Sequence, residues 1–595
     1  MYEKFGAIVT QKKVEFQLFV PNSSQYKRGG DPQIQEIRIR GDFQSKIGGK
    51  DWEFASAPVM TKNQHPQGWL YTYSINKNLP DGFYQYKYFV TFQNTTTRWI
   101  TDPCAKWGGC DNENSAFVIG GNTTVVNSIT ERLPFKDLII YELMIDNFTA
   151  EFRGNRAPVD AIIQDRLDYL QNLGINAIEF MPWTAWPGCD FSWGYNPFQF
   201  FSVECRYVND HATPCDKLFK LKTLINELHA RKIHVIMDGV FNHVTDEFPY
   251  RQLYQNPSDS PFIGQFEGGG FFEELDYHNQ CTQDFIRDVC AYWFDVYQID
   301  GIRFDYTLGF YNRGNLDQGI GHLISDVKSH LANTGKNNVS LILEHLTDNR
   351  FEAINDTNQI GASGCWFDPF MFKSAEYARN GNIDDEILRI LDANRDFATN
   401  KGPVTYIENH DHSTIIHQAG GRDRWFKTQP AAITLLTSPG AVMLHNGQEF
   451  GEDYWLPGSG NGRVVPRALH WNYCQDSVGK SLCYLYQKLI QIRNDHPALR
   501  SPNFFPTVNH PDGYGAFPDK DVVIYHRFGY SQSGQLERFI IVVNYSDFDQ
   551  RIDVPFSANG MWDDLLNGCS DYVSNFKLFN QRINSNWGRV YYRRG

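Results

Sequence analysis

No run of the 595 residues is long and apolar enough to approach a membrane span, and no internal repeat or low-complexity tract appears. A helical membrane protein and the repeat architectures are therefore excluded. Basic residues are the smaller charged class, 55 Lys and Arg against 69 Asp and Glu. That balance repels phosphate backbones, so nucleic acid is not an expected partner, and it suits a neutral ligand. The eleven cysteines are scattered, odd in number and without metal-ligand spacing. Cys104 and Cys110 are near enough to bridge, yet reduced thiols and no structural disulfide are expected. The opening MYEKFGAIVTQKKVEF has neither an apolar stretch nor a small-residue cleavage site of the secretory kind, so a cytoplasmic location is expected.

What is present is a soluble globular composition, 41% hydrophobic and 15% aromatic, with room for three or four domains. Four segments stand out in order: VIMDGVFNH (235–243), GIRFDYTLGF (301–310), LILEHL (341–346) and YIENHD (406–411). Each is an apolar, β-rich run that passes into polar residues. A strand buried on both faces tolerates a carboxylate only at its mouth, so Asp238, Asp305, Glu344 and Asp411 are expected to cluster at one end of a sheet. Their spacings of 67, 39 and 67 residues leave room for one or two βα units in each interval.

Two carboxyl groups are what glycosidic cleavage needs, one as nucleophile or base and one to protonate the leaving oxygen. Asp305 and Glu344 form the natural pair. Arg303 lies two positions before Asp305, on the same strand face, where a guanidinium would hold Asp305 ionised as a nucleophile. Glu344 follows Leu341, Ile342 and Leu343, and desolvation there would raise it into the range of a general acid. His243, His410 and Asp411 would supply hydrogen bonds to sugar hydroxyls.

The surrounding chain reads as a (β/α)₈ barrel flanked by two β domains. Residues 1–125 contain VEFQLFV, IQEIRIRGDF, WLYTYSI and FYQYKYFV, which point to an antiparallel sandwich. Residues 126–500 contain eight strand-like runs, IIYEL, AIEFM, HVIMD, GIRFD, SLILE, GCWFD, VTYIE and AVMLH, with helical patterns such as 158–174 and 215–232 between them. Residues 501–595 alternate again, with VVIYHRF and RFIIVVNYSDFDQRIDVPF around a polar turn, as a C-terminal antiparallel β domain would.

These four segments resemble the signature regions of the α-amylase superfamily, glycoside hydrolase family 13, and AIEFMPW (177–183) and SWGYNP (192–197) extend the likeness. The resemblance implies Asp305 as nucleophile, Glu344 as acid/base and Asp411 as transition-state stabiliser. It also implies Tyr195 stacking on the sugar at subsite −1, with His243, Arg303 and His410 binding that sugar and Asp238 tying the cluster together. A retaining mechanism on α-glucosidic bonds follows, with the paired carboxyls about 5–5.5 Å apart. RWITDPCAKWGG is similar to the close of a family 48 carbohydrate-binding module, so the N-terminal sandwich either binds sugar or only packs on the barrel. The excursion between the second and third barrel strands, about 184–214, is short and lacks a calcium-type carboxylate cluster, so neither a metal nor a cofactor is expected.

Departures from the pattern bear on specificity. Starch-degrading members often carry a Lys-His pair shortly after the nucleophile, but here the chain reads Tyr306, Thr307, Leu308, Gly309, so the leaving-group side must be built differently. SWGYNP and GQEFGEDYW (447–455) resemble branching, debranching and trehalohydrolase-like members. Glu449, Glu452 and Asp453 in the latter either line the cleft or cap a helix. The expected activity is hydrolysis of α-glucans such as glycogen, starch or maltooligosaccharides at α-1,4 bonds, with cleavage of α-1,6 bonds left open. The alternatives are a glucan transferase such as a branching enzyme and a non-catalytic glucan-binding protein on the same fold.

Overall fold

The computed structural model describes residues 1–21, 31–209, 213–268 and 271–595. Eight parallel strands close into a barrel in chain order: β1 (Ile139–Leu143), β2 (Ala177–Phe180), β3 (His234–Gly239), β4 (Gly301–Phe304), β5 (Ser340–Leu343), β6 (Gly364–Phe367), β7 (Gly402–Tyr406) and β8 (Ala441–His445). Every residue of these strands is buried, which is why they read as continuous apolar runs and not as alternating ones. The chain divides into two compact units, 1–130 with 145–167 and 180–344, and 131–144 with 168–179 and 345–595.

In the first unit, β3, β4 and β5 are hydrogen-bonded neighbours, with Asp238 opposite Arg303 and Arg303 opposite Ile342. Gly301 opens β4 because a Cβ there would lie 2.6 Å from the Ser340 carbonyl oxygen. The helix Gln280–Val296 precedes β4 and buries Phe285, Ile286, Val289, Cys290 and Trp293 along one stripe, the spacing that packs a helix on a barrel.

Residues ahead of the barrel form two antiparallel sheets. One orders Gly6–Thr10, Lys13–Pro21, Gly68–Ile75 and Thr61–His65; the other pairs Gly82–Phe92 with Ile34–Gly41, Thr97–Ile100 and Ser115–Ile119. In Gly82–Phe92 alternate residues point inward, and the ring of Phe16 meets Tyr86 at 4.9 Å and Phe117 at 5.7 Å to join the two inner faces. On the outer side Trp52 and Trp99 lie 6.2 Å apart, Trp99 is 41% exposed, and the Arg40 guanidinium sits 4.2 Å over its ring.

Cys110 and Cys205 are joined by a disulfide, contrary to the expectation of none. The parallel pairing of Trp107 with Val203 and Gly108 with Glu204 brings together two cysteines 95 residues apart, a contact invisible to sequence spacing. Cys104, the other cysteine considered for a bridge, is buried and free. The interval 184–214 contains strands Thr184–Ala185 and Gln199–Glu204; its residues 210–212 lie outside the described residues.

In the second unit, an antiparallel sheet follows the barrel strands. The turn SQSGQ joins Val522–Tyr530 to Leu536–Asn544, with Tyr530 opposite Leu536, and Trp587–Arg594 pairs on the far side. Val522, Ile524, Ile540, Val542, Trp562 and Tyr591 form its core. Among the described residues no helix is long and apolar enough to cross a membrane.

Candidate active site

The first unit gathers Asp238, Arg303, Asp305, Glu344, Tyr195 and His243. The ladder of the barrel runs on past the strand ends: Asp305 N–H donates to the Gly239 carbonyl at 3.0 Å and Glu344 N–H to the Phe304 carbonyl at 2.9 Å. Backbone bonds thus hold both acids at the carboxyl ends of β4 and β5, the catalytic face of this architecture. Arg303, with no exposed surface, projects among them. Its Nη1 donates to Asp238 Oδ1 and Asp305 Oδ1, both at 2.8 Å, and its Nη2 lies 3.0 Å from Glu344 Oε2. Tyr195 Oη donates to Asp238 Oδ2 at 2.7 Å, and its ring faces the Arg303 guanidinium carbon at 6.0 Å.

Three carboxyl groups around one guanidinium carry more negative charge than the single cation offsets. Burial and the neighbouring Glu344 push the Asp305 carboxyl well above the usual carboxylate range, against the pull of Arg303. This runs against the expectation that Arg303 holds Asp305 ionised. Like charges close together disfavour double ionisation, and Glu344 is the largest neighbouring charge that acts on Asp305 in this way. Burial opposes the charge on Arg303, but Asp238 and Glu344 hold its proton more firmly than in water.

Glu344 has two backbone anchors. Tyr306 N–H donates to its Oε2 at 2.7 Å, and the Thr307 hydroxyl donates to its carbonyl at 2.6 Å. His243 donates from Nε2 to the Tyr195 carbonyl at 2.8 Å, and burial lowers the imidazole toward the neutral form. Its role in this geometry is to fix the SWGYNP turn that presents Tyr195.

The second unit holds His410 and Asp411 beyond the end of β7. His410 donates to Glu142 Oε2 from its backbone N–H at 3.0 Å and to Oε1 from Nδ1 at 2.7 Å, and His445 Nδ1 donates to Oε2 at 2.7 Å. Burial alone would raise the Glu142 carboxyl, yet the two imidazoles hold it well below the usual range. Arg463 Nη2 donates to Asp411 Oδ1 at 2.6 Å and to its carbonyl at 3.0 Å. Asp411 lines a cavity of about 680 Å³ with His412, Arg379 and Trp455.

Sequence reasoning passed over Glu142, His445 and Arg463. An acid inside the apolar run IIYEL was the available signal for Glu142; Arg463, far from any strand end, offered none. Glu449 and Glu452 neither line the 680 Å³ cavity nor cap a helix. Glu449 accepts from the hydroxyls of Tyr141 at 2.8 Å and Tyr169 at 2.5 Å, and Glu452 accepts from His470 Nδ1 at 2.6 Å. Asp453 lies 3.2 Å from His417 Nδ1.

Residues 159–264 match the family model for the alpha-amylase catalytic domain. Sequence relatives include the pullulanase of Bacillus subtilis, 24% identical over 374 residues that make up 56% of this chain and 51% of that protein. They also include chloroplastic isoamylase 1 of Oryza sativa subsp. japonica, 26% identical over 64% of this chain and 50% of that protein. A third is the malto-oligosyltrehalose trehalohydrolase of Saccharolobus solfataricus, 26% identical over 53% and 58%. Over residues 159–264 the chain is similar to the alpha-amylase catalytic domain. The chain spans about half the length of the relatives it matches in sequence. In structure it superposes on a pullulanase of an Anoxybacillus species, solved with maltotetraose, with a TM-score of 0.76 over 99% of this chain and 87% of that one at 19% identity. The match extends the shared fold through the flanking β domains.

Proposed function

We propose that this chain is a retaining α-glucan hydrolase, with Asp305 as nucleophile and Glu344 as acid/base. The observation that carries the reading is the Arg303 guanidinium, which binds Asp305 and Glu344 through adjacent nitrogens and so supports the short carboxyl separation of retaining enzymes. Glu344 delivers a proton to the leaving oxygen as Asp305 attacks the anomeric carbon. A covalent glycosyl-Asp305 forms, and water activated by Glu344 releases the sugar with retention. Tyr195 stacks on the sugar at subsite −1 and Asp238 fixes both Tyr195 and Arg303. Asp411 and His410 take the stabilising role on the ring that the family resemblance gives them.

Within the α-glucans, hydrolysis of α-1,6 branch bonds is the favoured specificity. Pullulanases and isoamylases among the relatives, and the absence of a Lys-His pair after Asp305, support it. The substrate is an α-glucan or maltooligosaccharide. The experiment is a time course on pullulan, amylose and glycogen, followed by proton NMR. Rising reducing ends with falling α-1,6 signal supports the proposal; new α-1,6 signal at constant reducing ends would mean a branching transferase. In the same assay Asp305→Asn should lower turnover by several orders of magnitude and leave glucan binding nearly intact. Comparable turnover in that variant would remove Asp305 from the mechanism.

A further inference from the structure

Phe271 and Phe272 are 52% and 64% exposed, two adjacent phenylalanines with most of their rings in solvent. Their position is nonetheless fixed. The next two residues, Glu273–Glu274, form a strand antiparallel to His243–Val244, with Glu273 opposite Val244 and Glu274 opposite His243. This short ladder sets the aromatic pair relative to the imidazole. The Phe272 ring lies 5.3 Å from that of His243, tilted by 31°, and the Phe271 ring lies 6.0 Å from it. Phe271 also meets the Tyr306 ring edge-on at 5.3 Å and 85°. Tyr306 is the residue whose backbone holds Glu344.

Nothing in core packing accounts for this arrangement. Phe272 has φ of +45°, in the left-handed region that costs an L-residue about 1–2 kcal/mol. The exposed rings add apolar surface in water, which is also unfavourable. Phe272 and Glu273 stand between two cavities of about 460 and 340 Å³, lining both. A strained, exposed aromatic ridge packed on His243 and Tyr306 has the form of a stacking surface for a ligand with apolar C–H faces.

The geometry points to a leaving-group platform: we propose that Phe271 and Phe272 stack on the sugar that departs from the scissile bond. The inference rests on Glu344 acting as the acid. An acid stands beside the oxygen it protonates, so a ring packed on Tyr306, next to Glu344, is on the leaving-group side. The pair thereby supplies the contacts that the Tyr306-Thr307 sequence does not provide in the usual way. It sets how strongly turnover depends on a sugar being present there.

The test compares substrates with and without a leaving-group sugar. Maltohexaose and a singly branched α-1,6 maltooligosaccharide have one; α-maltotriosyl fluoride, which expels fluoride ion, has none. Phe271→Leu, Phe272→Leu and the double variant keep apolar volume while removing the aromatic faces. The double variant should lose about tenfold or more in kcat/KM on the oligosaccharide that the wild type cleaves, largely through KM. On α-maltotriosyl fluoride it should stay within about twofold of wild type. An equal fall on both substrates, or no fall on either, overturns the platform. A wild-type enzyme inactive on both classes would instead overturn the glucanase reading, and the platform with it, a result separable from the equal fall.

Discussion

The backbone N–H of Tyr306 donates to Oε2 of Glu344 at 2.7 Å from a residue whose φ is +38°. A tyrosine seldom adopts that conformation, and here it aims an amide at one oxygen of the Glu344 carboxyl.

Glu344→Gln should therefore separate leaving groups that need a proton from those that do not. Turnover of a glucan should fall by about 10³-fold or more, and cleavage of α-maltotriosyl fluoride, measured as fluoride release in the first turnover, by far less. Equal losses would argue that Glu344 only positions Arg303.

Glu142→Gln should destabilise the second unit. The wild-type carboxyl is held below its usual range by His410 and His445, so its stabilisation is present above the unfolded value near about pH 4 and is lost as pH falls through the depressed one. Removing one partner of a buried charge pair costs about 3–5 kcal/mol. Urea unfolding at neutral pH should show a deficit of this order, shrinking below about pH 4; a gap that stays constant with pH would contradict the charge assignment.

Glu449→Gln should have the opposite pH signature. Burial pushes Glu449 up to about 7, so the folded state prefers its proton. The stability it contributes is complete below about pH 4 and is lost as pH rises through 7, by about 3 kcal/mol in all. The glutamine variant keeps acceptors for Tyr141 and Tyr169 but has no proton to lose. Its stability relative to wild type should rise between pH 5 and pH 8, and chemical denaturation at the two pH values checks this.

The half-buried Trp52 and the exposed Trp99 bear on whether the N-terminal sandwich touches sugar. If they do, the double change Trp52→Ala, Trp99→Ala should reduce retention on an amylopectin affinity gel several-fold, since each stacked aromatic contributes about 0.5–1.5 kcal/mol. Turnover of α-maltotriosyl fluoride should be unaffected. Unchanged retention would leave the sandwich with packing alone.

All eight barrel strands were legible in the sequence because each is a short apolar run ended by polar residues, and burial on both faces forces that composition. Strand Thr61–His65 was not, since four of its five residues are exposed and its hydrogen bonds come from the edge of a sheet. The clustering of Asp238, Arg303, Asp305 and Glu344 was legible for the same reason as the strands. The upward push on the Asp305 carboxyl was not, because it depends on how closely Glu344, from a different strand, approaches it. His243 was readable as a site residue, but its bond to the Tyr195 carbonyl depends on a turn whose course no pattern announces.

The Cys110–Cys205 bond closes a loop of 95 residues between partners that carry no spacing signal. In the chain-entropy account a cross-link of that span restricts the unfolded ensemble by about 4–5 kcal/mol. Material produced in a reducing host and material oxidised after purification would then be two preparations of one sequence with different melting temperatures, and any comparison of variants has to begin by counting free thiols.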